Sequence, residues 1–264
     1  MDIYYGIVYL LLGLCIGSFL NVVIYRVPKE ESIVKGRSAC TKCGKQLGFF
    51  DLIPVLSFVF LRGKCRYCKE KISARYCIVE LITGLVFLGI FIKYGLSAEL
   101  FFFSFLMSIL IAVLFIDIEH MIIPDGLVIT GLIGGVVLIF YNAFFSFDYF
   151  GQFDAWWMPF IGMLVGPVAL LILAIIGSLL YGGAEVIGGG DIKIYAPIGI
   201  FLGWGMAGVS LFFSFIIGGF IGALLLLFRR KKRDAHIPFG PFIVIATYVT
   251  ILYGKDIVLW YFTF

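Results

Sequence analysis

Two aspartates, Asp117 and Asp191, stand where apolar helices should meet water. Asp117 lies in Phe115-Ile116-Asp117-Ile118, and Asp191 closes Gly188-Gly189-Gly190-Asp191. An ionisable side chain at the edge of a hydrocarbon layer costs several kcal/mol, so two of them from separate segments point to a site. Carboxyls that meet can divide the work on a water molecule. The ionised one takes a proton as water attacks, and the protonated one donates to the group under attack. Like charges in close approach resist double ionisation, so proximity itself enforces the mixed state.

A second chemical signal is Cys40-x2-Cys43, a gap of 21 residues, then Cys65-x2-Cys68. Two dithiol hooks at this spacing fit tetrahedral zinc. With sulfur in all four positions the metal would be structural, with no open position for water. Two disulfides are the alternative. The surrounding loop carries twelve Lys/Arg against four Asp/Glu, which places it in the reducing cytoplasm and favours zinc. Cys15 and Cys77 fall in or beside apolar helices and read as small packing residues. Leu14 occupies the place where a lipoprotein cysteine would need a small residue.

The elements that must position these groups are membrane helices. Hydrophobic residues make up 62% of the 264, charged residues 14%, and the mean hydropathy is +1.11. A soluble domain of this length could not hide so much apolar surface. The expected class is an all-α polytopic membrane protein of about eight transmembrane helices with a small zinc-binding cytoplasmic loop domain. Apolar runs fall at about 3–25, 76–94, 98–117, 122–145, 158–181, 192–204, 206–228 and 238–262. Residues 1–25 form the first transmembrane helix, 26–75 the zinc-binding loop domain, and 76–264 the membrane-embedded core. Residues 1–10 carry no Lys or Arg and the positive charge begins at Arg26, so the first run reads as an anchor with its N-terminus outside.

The positive-inside rule sets the remaining topology. The loop near 146–157 has two acids, Asp148 and Asp154, and no base, so it faces outward. The cluster Arg229-Arg230-Lys231-Lys232-Arg233 belongs inside. The run 192–204 must therefore cross. Thirteen residues rise only about 20 Å against a core of roughly 30 Å. With its outer end near Trp204, Asp191 would sit recessed in the membrane behind glycine backbone, which is tolerated where protein or a wet cavity covers it. The glycines can also be read as a plain loop between two helices.

These residues resemble the type IV prepilin peptidases, polytopic aspartyl proteases of the GxGD type. The resemblance runs nearly end to end. It is carried by Gly17-Ser18-Phe19-Leu20-Asn21-Val22-Val23-Ile24-Tyr25-Arg26 and by the cysteine quartet. Between the two hooks stand Asp51-Leu52-Ile53-Pro54-Val55-Leu56-Ser57 and Leu61-Arg62-Gly63-Lys64. It continues through Glu80-Leu81-Ile82-Thr83-Gly84, Asp117 to Ile123-Pro124-Asp125, and Gly188-Gly189-Gly190-Asp191-Ile192-Lys193.

The resemblance implies cleavage of a short basic leader from prepilins or pseudopilins, after a glycine, at the cytoplasmic face of the bacterial inner membrane. It implies methylation of the new N-terminus with S-adenosylmethionine. Asp117 and Asp191 fall on the family's catalytic aspartates, and Cys40, Cys43, Cys65 and Cys68 on its zinc ligands. Asn21, Arg26 and Glu80 are candidates for the methyl-transfer site. The expected partners are prepilin or pseudopilin substrates and the lipid bilayer. Nucleic acid is not among them, because topology and anionic headgroups already explain the basic loop.

Asp191 precedes a helix and Asp117 ends one, so the helix dipoles assign the general base to Asp191 and the resting proton to Asp117. Asp125, after Pro124, reads as the N-cap of the next helix, with a catalytic role as the alternative. Glu119 and Glu185 are loop or interfacial acids that could tune the site. Lys193 could neutralise local charge, contact substrate or snorkel to headgroups. His120 and His236 come with no marked nucleophile. Three other readings compete: a transporter with a broken helix, an intramembrane protease of the presenilin or signal peptide peptidase sort, and a methyltransferase without proteolysis. The first has no clear internal repeat to support it. The second shares GxGD and little else. The third is opposed by the presence of both aspartates.

Overall fold

The structure, a computed structural model, describes residues 2–145, 147, 157–180, 187–228 and 238–263. Expectations about Asp148, Asp154, Glu185, His236, residues 182–186 and the cluster 229–233 lie outside the described residues. Among the described residues there is no strand, only two isolated bridges, Ala39 with Gln46 and Lys64 with Lys71. The helices are α1 (Asp2–Arg26), α2 (Leu56–Phe60), α3 (Arg75–Tyr94), α4 (Ala98–His120), α5 (Asp125–Phe144), α6 (Met158–Leu180), α7 (Gly189–Leu227) and α8 (Gly240–Thr263). Two 3-10 turns, η1 (Val27–Lys29) and η2 (Phe49–Asp51), sit in the loop after α1. Seven of the helices are long and apolar enough to cross a membrane. The chain is a multi-pass membrane protein.

It folds as two compact units, Met1–Leu96 and Ser97–Phe264. In the first, α1 packs along α3. In the second, α4 and α5 form an antiparallel pair, with Gly134 against Phe105 and Gly131 close to Ile109. Helix α3 ends on Gly95, which takes positive φ. Helix α4 is capped at its start by the Ser97 hydroxyl, which accepts from Leu100 N–H, and closes on Met121 in the left-handed region.

Helix α7 resolves the question of the short run. Its 39 residues would stretch about 58 Å if straight, nearly twice the hydrocarbon core. Gly203, at φ 73° and ψ 171°, interrupts the helical backbone. The Tyr195 hydroxyl hydrogen-bonds the Ser214 hydroxyl at 2.7 Å. On one straight helix those residues would stand about 28 Å apart. The chain therefore doubles back at Gly203, and the arms 189–202 and 204–227 lie side by side. Among the described residues, seven long apolar helices thus supply eight apolar helical segments, the number of runs read from the sequence. The first arm is about 21 Å long, close to the length expected of the short run. Its helix begins at Gly189, so Asp191 is its third residue rather than a residue before it.

Close backbone approach holds the short arm. A Cβ on Gly199 would stand within 1.9 Å of the Gly162 carbonyl oxygen on α6, and one on Gly162 within 2.1 Å of the Gly199 oxygen. Small residues at such crossings replace the hydrophobic drive that lipid removes. Hydroxyl pairs add to this: Ser210 with Thr247 at 3.0 Å joins α7 to α8. Gly199→Val should separate α6 from α7 and destabilise the protein by about 1–3 kcal/mol or more. Gly208→Val, placed where nothing lies within 4 Å, should be tolerated. Thermal unfolding of both variants in detergent checks the difference.

Candidate active site

One end of the second unit gathers four helix termini. Asp117 lies in the last turn of α4 and is 6% exposed. The turn 121–124 leads into α5. Asp191 is half-buried in the first turn of α7, and Gly240 opens α8. Three contacts hold these pieces together. A Cβ on Gly190 would meet the Ile123 side chain at 3.0 Å, so the first arm of α7 lies directly on the turn. The Lys193 ammonium pairs with the Asp125 carboxylate at 2.9 Å. The Gly240 N–H donates to Asp117 Oδ2 at 3.0 Å. The result brings Asp117 and Asp191 within electrostatic range of each other.

The Asp117 carboxylate has one backbone donor, the Gly240 N–H at the start of α8. The sequence reading saw only one helix end at Asp117, the unfavourable C-terminus of α4. The start of α8 acts there with opposite sign, and a direct hydrogen bond to a charged group (roughly 1.5–3 kcal/mol) outweighs a dipole term of about 0.3–1 kcal/mol. The helix-end argument for separating the two roles is offset by this. With Oδ2 occupied by Gly240, Oδ1 is the Asp117 oxygen left for a proton or a water. A carboxyl pair so arranged can run general acid–base chemistry on one water.

Asp125 does not cap α5. Pro124 holds the N-cap position, Asp125 is the first helical residue, and no side-chain cap bond forms. Its carboxylate serves Lys193 instead, which removes the need for a headgroup or substrate to explain that lysine. The pair is exposed, with side chains 68% and 57% accessible, so its value is geometric more than energetic. Glu119 and His120 are exposed at the end of α4. Gly240 was not read as functional from sequence. The signal available for it was the Gly240-Pro241 pair that opens the last apolar run.

The cysteines form their own centre in the first unit. The four Sγ atoms lie within 4.8 Å of one another, and Cys40 and Cys68 Sγ are 3.9 Å apart. Tetrahedral zinc with bonds of about 2.3 Å sets its sulfurs about 3.8 Å apart. A disulfide needs about 2.05 Å, and all four thiols are free. The two hooks share one backbone design. Cys40 N–H reaches Lys45 C=O and Gly44 N–H returns to Cys40 C=O; Cys65 and Glu70, and Lys69 and Cys65, repeat it. Gly44 and Lys69 both take positive φ. Backbone N–H groups of Cys43 and Lys42 pull the Cys40 thiol down to about 7. Cys68 goes up to about 11: the Glu70 N–H opposes this, but crowding and three neighbouring sulfurs prevail. Four thiols that cannot ionise together without a cation are the donor set a zinc ion suits.

Asp51 braces this centre. Its carboxylate accepts from Arg66 Nε, from Gly48 N–H at 3.0 Å and from the Tyr67 hydroxyl at 3.3 Å. Burial pushes Asp51 up, but Arg66 and Gly48 together hold it below the usual carboxylate range. The three methyl-transfer candidates sit around the roots of the same loop. Arg26 donates to the carbonyls of Ser32, Lys35 and Gly36. Glu80 accepts the Val55 N–H at 2.7 Å, and Asn21 Nδ2 donates to Tyr76 C=O at 2.9 Å. Arg26 and Glu80 are thus committed to the loop backbone. Asn21 alone keeps a buried oxygen, Oδ1, with no hydrogen-bond partner. Cys15 is exposed on α1 and Cys77 half-buried on α3, apart from the quartet.

Comparison with known proteins matches both units. Residues 11–94 fit the bacterial peptidase A24 N-terminal domain, and residues 104–223 fit the type IV leader peptidase family. The chain is 36% identical to a prepilin leader peptidase/N-methyltransferase of Bacillus subtilis, over 94% of each chain. It is 34% identical to one from Aeromonas hydrophila, over 99% of this chain and 94% of that one. A Pseudomonas putida protein of the same name is 33% identical over 93% and 90%. No solved structure matches the chain.

Metal analysis of the purified protein should find one zinc per chain. Cys40→Ser and Cys65→Ser should each lower that stoichiometry, and a strong chelator should expose four additional thiols to a colorimetric thiol reagent.

Proposed function

The chain belongs to the type IV leader peptidase family, and on that premise we propose that it cleaves the basic leader from type IV prepilins or pseudopilins. The reaction takes place at the cytoplasmic face of the bacterial inner membrane. The observation that carries this reading is the meeting, inside an apolar bundle, of the end of α4 that bears Asp117 and the start of α7 that bears Asp191, with the Gly240 N–H on the Asp117 carboxylate.

The pair shares one proton and titrates as a unit. The ionised carboxylate takes a proton from water, and the water oxygen bonds to the scissile carbonyl carbon. The other carboxyl gives its proton to the carbonyl oxygen. Collapse of the resulting diol breaks the C–N bond, and the amine leaves with the proton first taken from water. No covalent intermediate with the protein is required. Asp125 and Lys193 hold the start of α7 beside the turn after Asp117, and so keep the two carboxyls in register.

Residues 26–75 are the cytoplasmic domain, held by a structural zinc on Cys40, Cys43, Cys65 and Cys68, and the membrane core of 76–264 carries the protease. S-adenosylmethionine, when bound, supplies a methyl group to the new N-terminal amine. Asn21 is the candidate that fits it, through the free Oδ1 acceptor. Arg26 and Glu80 serve that step by shaping the loop.

Cleavage of a synthetic prepilin N-terminal segment by the reconstituted protein tests the proteolytic reading. Asp117→Asn and Asp191→Asn should each reduce the rate at least about 1,000-fold, and the double variant should be no slower than either. Full activity in either single variant would overturn it. Gly240→Ala would place a Cβ within 2.5 Å of Asp117 Oδ2. It should lower kcat about 10- to 100-fold, with zinc content unchanged. Mass spectrometry of the mature N-terminus, with and without S-adenosylmethionine, should show one added methyl group, and Asn21→Ala should lose it while cleavage persists.

A further inference from the structure

Six large apolar side chains between residues 49 and 60, in the loop between α1 and α3, lie uncovered. Phe49, Phe50 and Phe60 are 79%, 71% and 81% exposed, and Leu52, Leu56 and Val59 are also open. All but Leu52, which caps the end of η2, come from η2 and α2, two short elements in contact with each other. The chain is bent hard to place them. Leu56 N–H reaches Pro54 C=O across Val55, which takes φ 61° and ψ −50°. That is the rare γ-turn conformation, and a β-branched residue with positive φ is an outlier. The Glu80 carboxylate holds the bend by accepting the Val55 N–H at 2.7 Å.

Glu80 fixes the depth of this cluster. Helix α3 has 20 residues, about 30 Å, and needs its whole length to cross the hydrocarbon core. Glu80 stands five residues from the start, about 7 Å along the axis. Its side chain leans back toward the helix start. Val55, and the α2 segment that begins beside it, are thereby held at the boundary of headgroups and acyl chains. Both ends of the loop are tethered to membrane-crossing helices. Its twelve Lys/Arg against four Asp/Glu complement anionic headgroups.

We propose that η2 and α2 form a membrane-inserted wedge, with Phe49, Phe50, Leu56, Val59 and Phe60 seated in the lipid interface and the basic residues of the loop on the headgroups. Interfacial segments of this kind bury their apolar side about 5–10 Å deep, the depth that Glu80 imposes. The wedge anchors the cytoplasmic domain to the bilayer along a second line, apart from its two helical stems.

The test uses the full chain in nanodiscs of phosphatidylethanolamine and phosphatidylglycerol, with the photo-crosslinker p-benzoylphenylalanine at position 50 or 60. Position 12 on α1 is the lipid-facing reference, and position 42 in the first cysteine hook is the exposed one. Intact-mass analysis after illumination should find phospholipid adducts at 50 and 60 near the level at 12. They should exceed the level at 42 at least about fivefold, as seating at the acyl boundary requires. Adducts at 50 and 60 no higher than at 42 would overturn the proposal. So would crosslinking of those positions to a second copy of this chain or to another protein instead of lipid.

Discussion

Two acidic side chains must share the interior of an apolar bundle, and the second unit is arranged around meeting that demand. An unpaired charge in such surroundings is expensive. At Asp117 the bundle answers with backbone: the Gly240 N–H at the start of α8 donates to its carboxylate, and any side chain on that glycine would collide with it. Asp191 lies in the glycine-rich first turn of α7. The termini of α4, α5, α7 and α8 converge because each contributes something the pair needs: an acid, an N–H, or the Lys193–Asp125 tie.

The reversal at Gly203 is what makes this convergence possible. A first arm of about 21 Å cannot fill a core of roughly 30 Å, so one of its ends must be recessed. Contact with α6 through Gly162 and Gly199, and with α5 through Gly131 and Gly135 against Pro197 and Ile200, fixes where the arm sits. Its polar start packs against the turn after α4, with Gly190 on Ile123, and such protein cover is the condition under which glycine-rich backbone can exist within an apolar bundle. The second arm doubles back along the first, and the Tyr195–Ser214 bond closes the pair.

The first unit follows a different logic. Its loop has little core of its own and depends on local ties: four clustered sulfurs, the Asp51–Arg66 pair, Arg26 on three carbonyls, and Glu80 on the Val55 amide. Several of the residues that make those ties belong to the motif that first suggested chemistry. Asn21, Arg26 and Glu80 were legible as important from their setting, but the type of importance was not. A carboxylate read as a possible ligand contact is, in the folded chain, the partner of a strained turn.

The sequence by itself determined the class and the cysteine cluster, and it singled out Asp117 and Asp191 as the candidate acids. It could do so because hydropathy, charge bias and ligand spacing act locally along the chain and leave a one-dimensional trace. It placed a break in the chain near residue 204, where the structure has the non-helical Gly203, because a charge imbalance required a separate short run. It misassigned Asp125 as a cap, since the capping preference was weighed without Lys193, 68 positions away in sequence. Only the tertiary structure decided which backbone amide meets Asp117. A backbone N–H carries no side-chain signature, and Gly240 stands 123 positions beyond Asp117, a distance in sequence that packing alone closes.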